Sequence, residues 1–426
     1  MKTVPLKRVA RITVSNVDKK TASDERSIHL CNYTDVYYNE RITANLPFME
    51  ATASADQIDR FSLRAGDVLL TKDSETPDDI AVPAYVVADL PGVVCGYHLA
   101  LLRPRQEVDG RYLFWALTSR SSREQFSASA NGITRFGLRY DSFGEVRVPL
   151  PPLACQCAIA DYLDRETARI DALIEKKRRM IELLEEQTHA WSVRLVLGDL
   201  GGTKGSTSPS GLYRVVPDGW KETALRHLHC SVQTGPFGSQ LHAEEYVEGG
   251  WPVVNPMNLV EGEISAVETM TVSDQKRTEL ARHILAPGDI VFGRRGEMGR
   301  AGLAEEAHRG WLCGTGSLRL RLRSTLITPT YLKLLLETPV ARAYFELASV
   351  GSTMDNLNSE IVLALPTLVP PIATQDRIVE DVHARRETAE ALRGRLERQI
   401  GLLQEHRQAL ITAAVAGELD VPGVAA

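Results

Sequence analysis

Pro151-Pro152-Leu153-Ala154-Cys155-Gln156-Cys157-Ala158-Ile159 returns 219 positions later as Pro370-Pro371-Ile372-Ala373-Thr374-Gln375-Asp376-Arg377-Ile378. The residue before a proline resists the helical region, while the first helical turn accepts a proline. Each double proline therefore closes the segment before it and opens a helix. A repeat of roughly half the chain also implies two similar units in tandem, and such an object is suited to a target with two halves.

From Leu153 to about Leu197 the text is helical, without an internal proline or glycine. Apolar residues recur in steps of four and three at Ile159, Leu163, Ile170, Leu173, Met180, Leu184 and Trp191, with polar breaks at Glu166, Lys177 and Gln187. The second copy repeats the seam at Ile378, Val382, Leu392, Leu396, Leu403 and Leu410, with breaks at Arg385 and Gln399. This is the pattern of a long helix paired with another. A helix of this length extends roughly 65 Å, too far for one small domain to bury. Gly394 and Gly401 lower the helix propensity of the second copy, so it is expected to be the less regular one.

Working outward, residues 1–150 mix short strand-like runs with turns. Residues 151–197 form the first long helix, and 198–216 a Gly/Ser-rich linker of flexible composition. Residues 217–369 form a second mixed segment, and 370–420 the second long helix. The fold class is α+β: two mixed α/β domains and two long helices. The mixed segments share short scaffold words. Ala65-Gly66-Asp67-Val68-Leu69-Leu70 matches Pro287-Gly288-Asp289-Ile290-Val291-Phe292, and Val94-Cys95-Gly96 matches Leu312-Cys313-Gly314. The text between these words differs, as expected of one fold carrying two recognition surfaces.

Composition sets wide bounds. The 426 residues carry 49 basic and 55 acidic side chains, a net charge of −6. That total neither advertises nor excludes nucleic-acid binding, because local patches decide contact. No run approaches a membrane span, and no secretory signal opens the chain. The six cysteines contain no C-x-x-C spacing, so reduced thiols in a cytoplasmic protein and no bound metal are expected.

With the double-proline starts carrying Gln156 and Gln375, the Gly-Asp-[Val/Ile] strands and the stretch Glu405-His406-Arg407-Gln408-Ala409-Leu410-Ile411-Thr412-Ala413-Ala414-Val415-Ala416-Gly417-Glu418-Leu419, the chain resembles the specificity subunit of Type I restriction–modification systems (HsdS). The resemblance covers the whole order of domain, helix, domain, helix. It implies two target-recognition domains, each binding half of a split DNA target. It implies an antiparallel coiled coil between them and a pseudo-two-fold arrangement. It further implies no catalytic site or cofactor in this chain. The partners would be double-stranded DNA, two modification subunits that methylate adenine with S-adenosylmethionine, and restriction subunits, in a cytoplasmic defence against phage.

Base edges are read by Arg, Lys, Asn and Gln, and phosphates fix register. In the second domain the candidates are Arg294, Arg295 and Arg300, in a glycine-rich stretch after a predicted strand, with Gln233 and Ser239 in an earlier loop. Ser352 and Thr353 pair with Ile133 and Thr134 of the first domain. Lys72, Thr134, Arg135 and Arg139 are the first-domain candidates. Each stretch also reads as an ordinary solvated turn. Lys72 lies among Asp73, Glu75, Asp78 and Asp79, which would repel phosphate. Arg319, Arg321 and Arg323 alternate with leucines, which fits either a charged strand face or a phosphate contact. Two further functions are weighed. A nuclease or methyltransferase needs motifs that are missing: Asn255-Pro256-Met257-Asn258 departs from an adenine methyltransferase motif, and no ATPase loop or zinc motif occurs. A coiled-coil scaffold that never touches DNA is the other.

Overall fold

The computed structural model describes residues 2–237, 240–260, 262–266, 269–349 and 357–424. The chain divides into two compact units, Met1–Arg179 with Arg395–Ala426, and Met180–Gly394. Each unit holds one mixed domain and a part of each long helix.

In the first unit a sheet runs in the order Ala10–Val14, Leu99–Pro104, Val68–Thr71, Pro83–Val86 and Arg41–Ile42. Its central strand is buried on both sides. Leu69 and Leu101 face one core with Leu30, Phe61 and Val86, while Val68, Leu70, Ala100 and Leu102 face another with Tyr112, Trp115 and Phe126. That explains why Val68-Leu69-Leu70 reads as a continuous apolar run rather than an alternating one. Beside this sheet, Arg26–Cys31 pairs antiparallel with Met49–Ala53 and parallel with Val93–Cys95. The helical text at 111–125 is two helices, Gly110–Thr118 and Arg120–Ser129, broken at Ser119.

The second unit repeats this plan. Its main sheet has the order Cys230–Thr234, Ser317–Leu322, Ile290–Gly293 and Ala301–Leu303. Trp251–Val254 pairs antiparallel with Thr271–Val272 and parallel with Leu312–Cys313. Both domains are closed by an entry strand on an exit strand: Thr3–Pro5 with Arg147–Pro149, and Lys221–Ala224 with Pro366–Val369. The exit strand ends at the double proline, so each long helix leaves from a clamped point.

The repeated glutamine is part of that clamp. Gln156 Oε1 accepts from Asp109 N at 2.9 Å, and its Nε2 donates to the carbonyls of Glu107 and Pro151. Gln375 Oε1 accepts from Thr328 N at 2.8 Å, and its Nε2 donates to Leu326 and Pro370. Asp109 and Thr328 are the N-caps of equivalent helices, Gly110–Thr118 and Pro329–Leu336. Each buried amide thus ties the long helix to the domain before it.

The Gly-Asp words have an equally specific cause. Asp67 takes a two-pronged contact from Arg103, 2.8 Å on each oxygen, and accepts from Arg64 N. Asp289 takes the same contact from Arg321, at 2.7 and 2.6 Å, and accepts from Ala286 N. Gly66 and Gly288 both sit at φ +89°, the left-handed region open to glycine, which turns the chain into the central strand. Arg103 and Arg321 are held charged by hydrogen bonds to their carboxylates.

The long helices run Leu153–Val196 and Ile372–Ala416. Gly394 and Gly401 do not interrupt the second, contrary to expectation; packing along the seam outweighs about 1 kcal/mol of propensity at each glycine. Within the first unit Lys177 Nζ donates to Gln399 Oε1 at 2.6 Å, and Arg407 Nε lies 3.0 Å from Asp171 Oδ1. Within the second, Arg393 lies 3.6 Å from Glu185. As the residue number rises on one helix it falls on the other, so the pairing is antiparallel.

One column of the expected seam is placed one residue off. Ile159, Leu163, Ile170, Ile378, Val382 and Leu396 are buried, and Leu184, Leu403 and Leu410 half-buried. Leu173, Met180 and Leu392 are 47, 52 and 41% exposed. Their inward neighbours are Ile174, Ile181 and Arg393. The breaks shift likewise: Thr167 and Arg386 stand inward in place of Glu166 and Arg385. Both seams keep alternating steps of three and four, and both helices shift by the same single residue.

The Gly/Ser-rich stretch read as a linker is packed rather than free. Gly205–Ser206 pairs with Val216–Pro217, Ser208 Oγ donates to Glu222, and Tyr213 and Val216 join the second unit's core. Two apolar side chains in a polar run are enough to anchor it.

Candidate nucleic-acid interface

In the second unit, Gly293 N bonds to Arg300 O and closes a hairpin between two strands of the main sheet. Arg294 is fixed at three points. Its N–H donates to Gly316 O at 2.9 Å, its carbonyl accepts from Leu357 N at 3.0 Å, and its Nε donates to Leu357 O at 3.2 Å. Arg295 is exposed at the hairpin tip, with no ion-pair partner among the described residues. Arg300 turns elsewhere. It lines a cavity of about 380 Å³ with His189, Glu297, Arg342 and Arg386, and its buried Nε has no hydrogen-bond partner. Gln233 lies in the edge strand opposite Arg319, and its Nε2 donates to Thr234 O. A Cβ at Gly235 would meet Gly314 O at 1.9 Å, so this loop is pressed against the Gly314–Ser317 turn beside Arg294. Ser239, Ser352 and Thr353 lie outside the described residues.

The first unit gathers its candidates on the same backbone frame. Lys72 N donates to His98 O at 2.9 Å, and Leu138 N donates to Lys72 O at 3.0 Å. Asp73–Ser74 pairs with Phe136–Gly137, and Asn131 and Gly137 exchange two backbone hydrogen bonds. Thr134 and Arg135 therefore lie on an exposed loop returning to Lys72, and Arg139 is the exposed N-cap of helix Tyr140–Glu145. Lys72 Nζ sits 4.6 Å over the Tyr97 ring, a cation–π placement.

The acidic neighbours are engaged by the domain itself. Asp73 pairs with His98 at 2.7 Å, Asp78 accepts from Ser127 Oγ, and Asp79 accepts from the Tyr37 hydroxyl. The hydrogen bond to Asp79 pushes Tyr37 up to about 12. Among these four, Glu75 and Asp78 are exposed, and hydrogen bonds from neutral donors orient Asp73, Asp78 and Asp79 without cancelling their charge.

Two of the three alternating arginines, Arg319 and Arg321, are taken up by the fold, while Arg323 is exposed. Arg319 is buried and donates from Nη1 to the carbonyls of Arg282 and Ile284, and burial pulls its pKa down. Arg321 is committed to Asp289. The segment 281–284 covers that face of the strand, so Arg319 and Arg321 hold the fold together. Tyr97 and His98 were missed from sequence. The match of Cys95-Gly96 to Cys313-Gly314 already set them opposite Thr315-Gly316, and that contrast was the available signal.

Among the described residues no group of three or more His, Cys, Asp or Glu is placed to hold a metal, and no helix is long and apolar enough to cross a membrane. The six cysteines are unbonded; burial pushes the Cys313 thiol up to about 12.

Two like domains have matching loop frames with different side chains on them, and each is followed by a long helix. Residues 1–183 match the family described as Type I restriction modification DNA specificity domain. The chain is 23% identical over 334 residues to the EcoKI specificity subunit of Escherichia coli K12, covering 77% of this chain and 68% of that one. It is 22% identical over 316 residues to the EcoBI specificity subunit of Escherichia coli, covering 72% and 65%. The HsdS subunit from Thermoanaerobacter tengcongensis aligns with a TM-score of 0.55 at 19% identity, covering 98% and 97%. A chain from a structure describing assembly and conformational transition of the type I R-M system aligns at 0.67 and 19% identity, covering 98% of each. Residues 1–183 thus carry a Type I restriction modification DNA specificity domain, and the chain as a whole is similar to Type I restriction enzyme specificity subunits.

Proposed function

We propose that this chain binds a bipartite, asymmetric double-stranded DNA target, one half-site per mixed domain. It recruits two modification subunits, which bring S-adenosylmethionine, and restriction subunits, and itself catalyses nothing. The cytoplasm is its compartment. The observation that carries this reading is the shared loop frame with unlike occupants. Lys72, Asp73, Tyr97 and His98 in one unit stand where Arg294, Arg295, Thr315 and Gly316 stand in the other. Equivalent frames give two equivalent reading positions; unlike side chains make the half-sites differ.

The test is co-expression with the modification subunits in a methylation-free host, followed by sequencing of methylated adenines. A split motif with two different halves is expected. An unsplit motif, or a palindromic one, would overturn the reading. The assembled complex should also bind its motif less tightly as salt rises, and the chain alone, given DNA with Mg²⁺ or S-adenosylmethionine, should turn over nothing.

A further inference from the structure

The turn Gly96-Tyr97-His98-Leu99 is clamped by its own backbone. Gly96 N donates to Cys31 O, Leu99 N to Gly96 O, and Lys72 N to His98 O. A Cβ at Gly96 would stand 2.8 Å from Cys31 O, so the turn is held close against the side sheet. From this fixed base two rings project. Tyr97 is 47% exposed, and its ring meets His98 edge-on at 4.7 Å between centroids and 74°. Lys72 Nζ lies 4.6 Å over the Tyr97 ring, and His98 Nδ1 lies 2.7 Å from Asp73 Oδ2.

Asp73 is an acceptor only, so the His98 proton sits on Nδ1 and the ring is oriented. That leaves Nε2, which has no hydrogen-bond partner among the described residues and is not among the enclosed polar atoms. An oriented imidazole with one open nitrogen, flanked by an ammonium and a half-exposed phenol, is a hydrogen-bonding tip on a rigid support. The second unit keeps the frame and lacks the device: Thr315 and Gly316 replace the rings, and Arg295 replaces the carboxylate.

We propose that His98 is a specificity-determining residue of the first unit: its Nε2 contacts a base edge in the first half-site, with Asp73 as the positioning residue. This rests on the reading of the chain as a bipartite DNA reader. Lys72 and Tyr97 flank the contact, a cation for the phosphates and an aromatic edge against the sugar and base.

The test uses the full chain assembled with its modification subunits and reads the adenine-methylation motif. His98→Ala should relax one base position in one half-site, lowering discrimination there about tenfold, and leave the other half-site intact. Asp73→Asn should relax the same position, and the double variant should relax it no further. Arg295→Ala should disturb the opposite half-site. If His98→Ala fails to assemble, His98→Gln and Asp73→Asn decide. An unchanged motif in either, or changes spread over both halves, would overturn the proposal. A wild-type motif that is not split would instead sink the bipartite reading beneath it.

Discussion

His283 and Phe61 occupy matching places, each one residue before the carbonyl that accepts from the carboxylate-paired arginine, Ile284 from Arg321 in one unit and Ser62 from Arg103 in the other. Both side chains are buried. His283 Nε2 accepts from Arg282 Nε at 3.0 Å, so the ring is neutral there. Burial, then the charges of Arg282 and Arg319, pull its pKa down to about 4. A histidine whose folded pKa lies below its unfolded value near 6.5 stabilises fully above that value. The contribution is lost as pH falls from about 6.5 toward 4, because the unfolded chain binds the proton first. His283→Phe, borrowing the first unit's residue, should therefore flatten the pH dependence of unfolding in this window. Urea midpoints at pH 5 and pH 7.5 check it; equal slopes for wild type and variant would refute the assignment. Residue-level roles were only partly legible in the sequence. The glutamine repeat was visible, but the hydrogen bonds around each amide were not, because two of the three partners lie in loops of dissimilar text. Arg321 looked like a surface charge because alternation reports two faces and not what covers them.

Along the long helices, period and polar breaks were readable, and one column of the seam, through Leu163, Ile170 and Leu184, is inward as expected. The other column was ambiguous for a physical reason. Leu173-Ile174 and Met180-Ile181 are adjacent apolar pairs, so either member completes a three–four repeat. Only packing against the second helix selects Ile174 and Ile181. Ile174→Ala should then destabilise the first unit by about 2–4 kcal/mol, whereas Leu173→Gln should stay within about 0.5 kcal/mol. Chemical denaturation of both variants separates them, and a larger loss at Leu173 would restore the other phase. The same limit applies to the reading loops. Equivalent frames were legible through the Gly-Asp and Cys-Gly words. The oriented His98 was not, since its partner Asp73 is 25 residues away in sequence and read as one of a group of repulsive charges.

For the whole molecule, the division of labour is between what repeats and what does not. The helices repeat position by position, including the single-residue shift of their inward column. The loop frames repeat as backbone, and their side chains do not. If the helices set the distance between half-sites, their length and the target letters should be separately adjustable. Removing one heptad, residues 177–183, together with the facing heptad 393–399, keeps the three–four alternation on both helices. It shortens the pair by about 10 Å, which corresponds to about three base pairs of duplex at 3.4 Å each. The methylated motif of this variant should keep both half-sites and lose about three spacer positions, at a change in duplex twist of about 0.3 turn; a second variant with two facing heptads removed tests the same scaling at about six. A motif whose letters change while its spacer does not would place recognition on the helices and measurement in the domains, the reverse of the assignment that the repeated and unrepeated residues support.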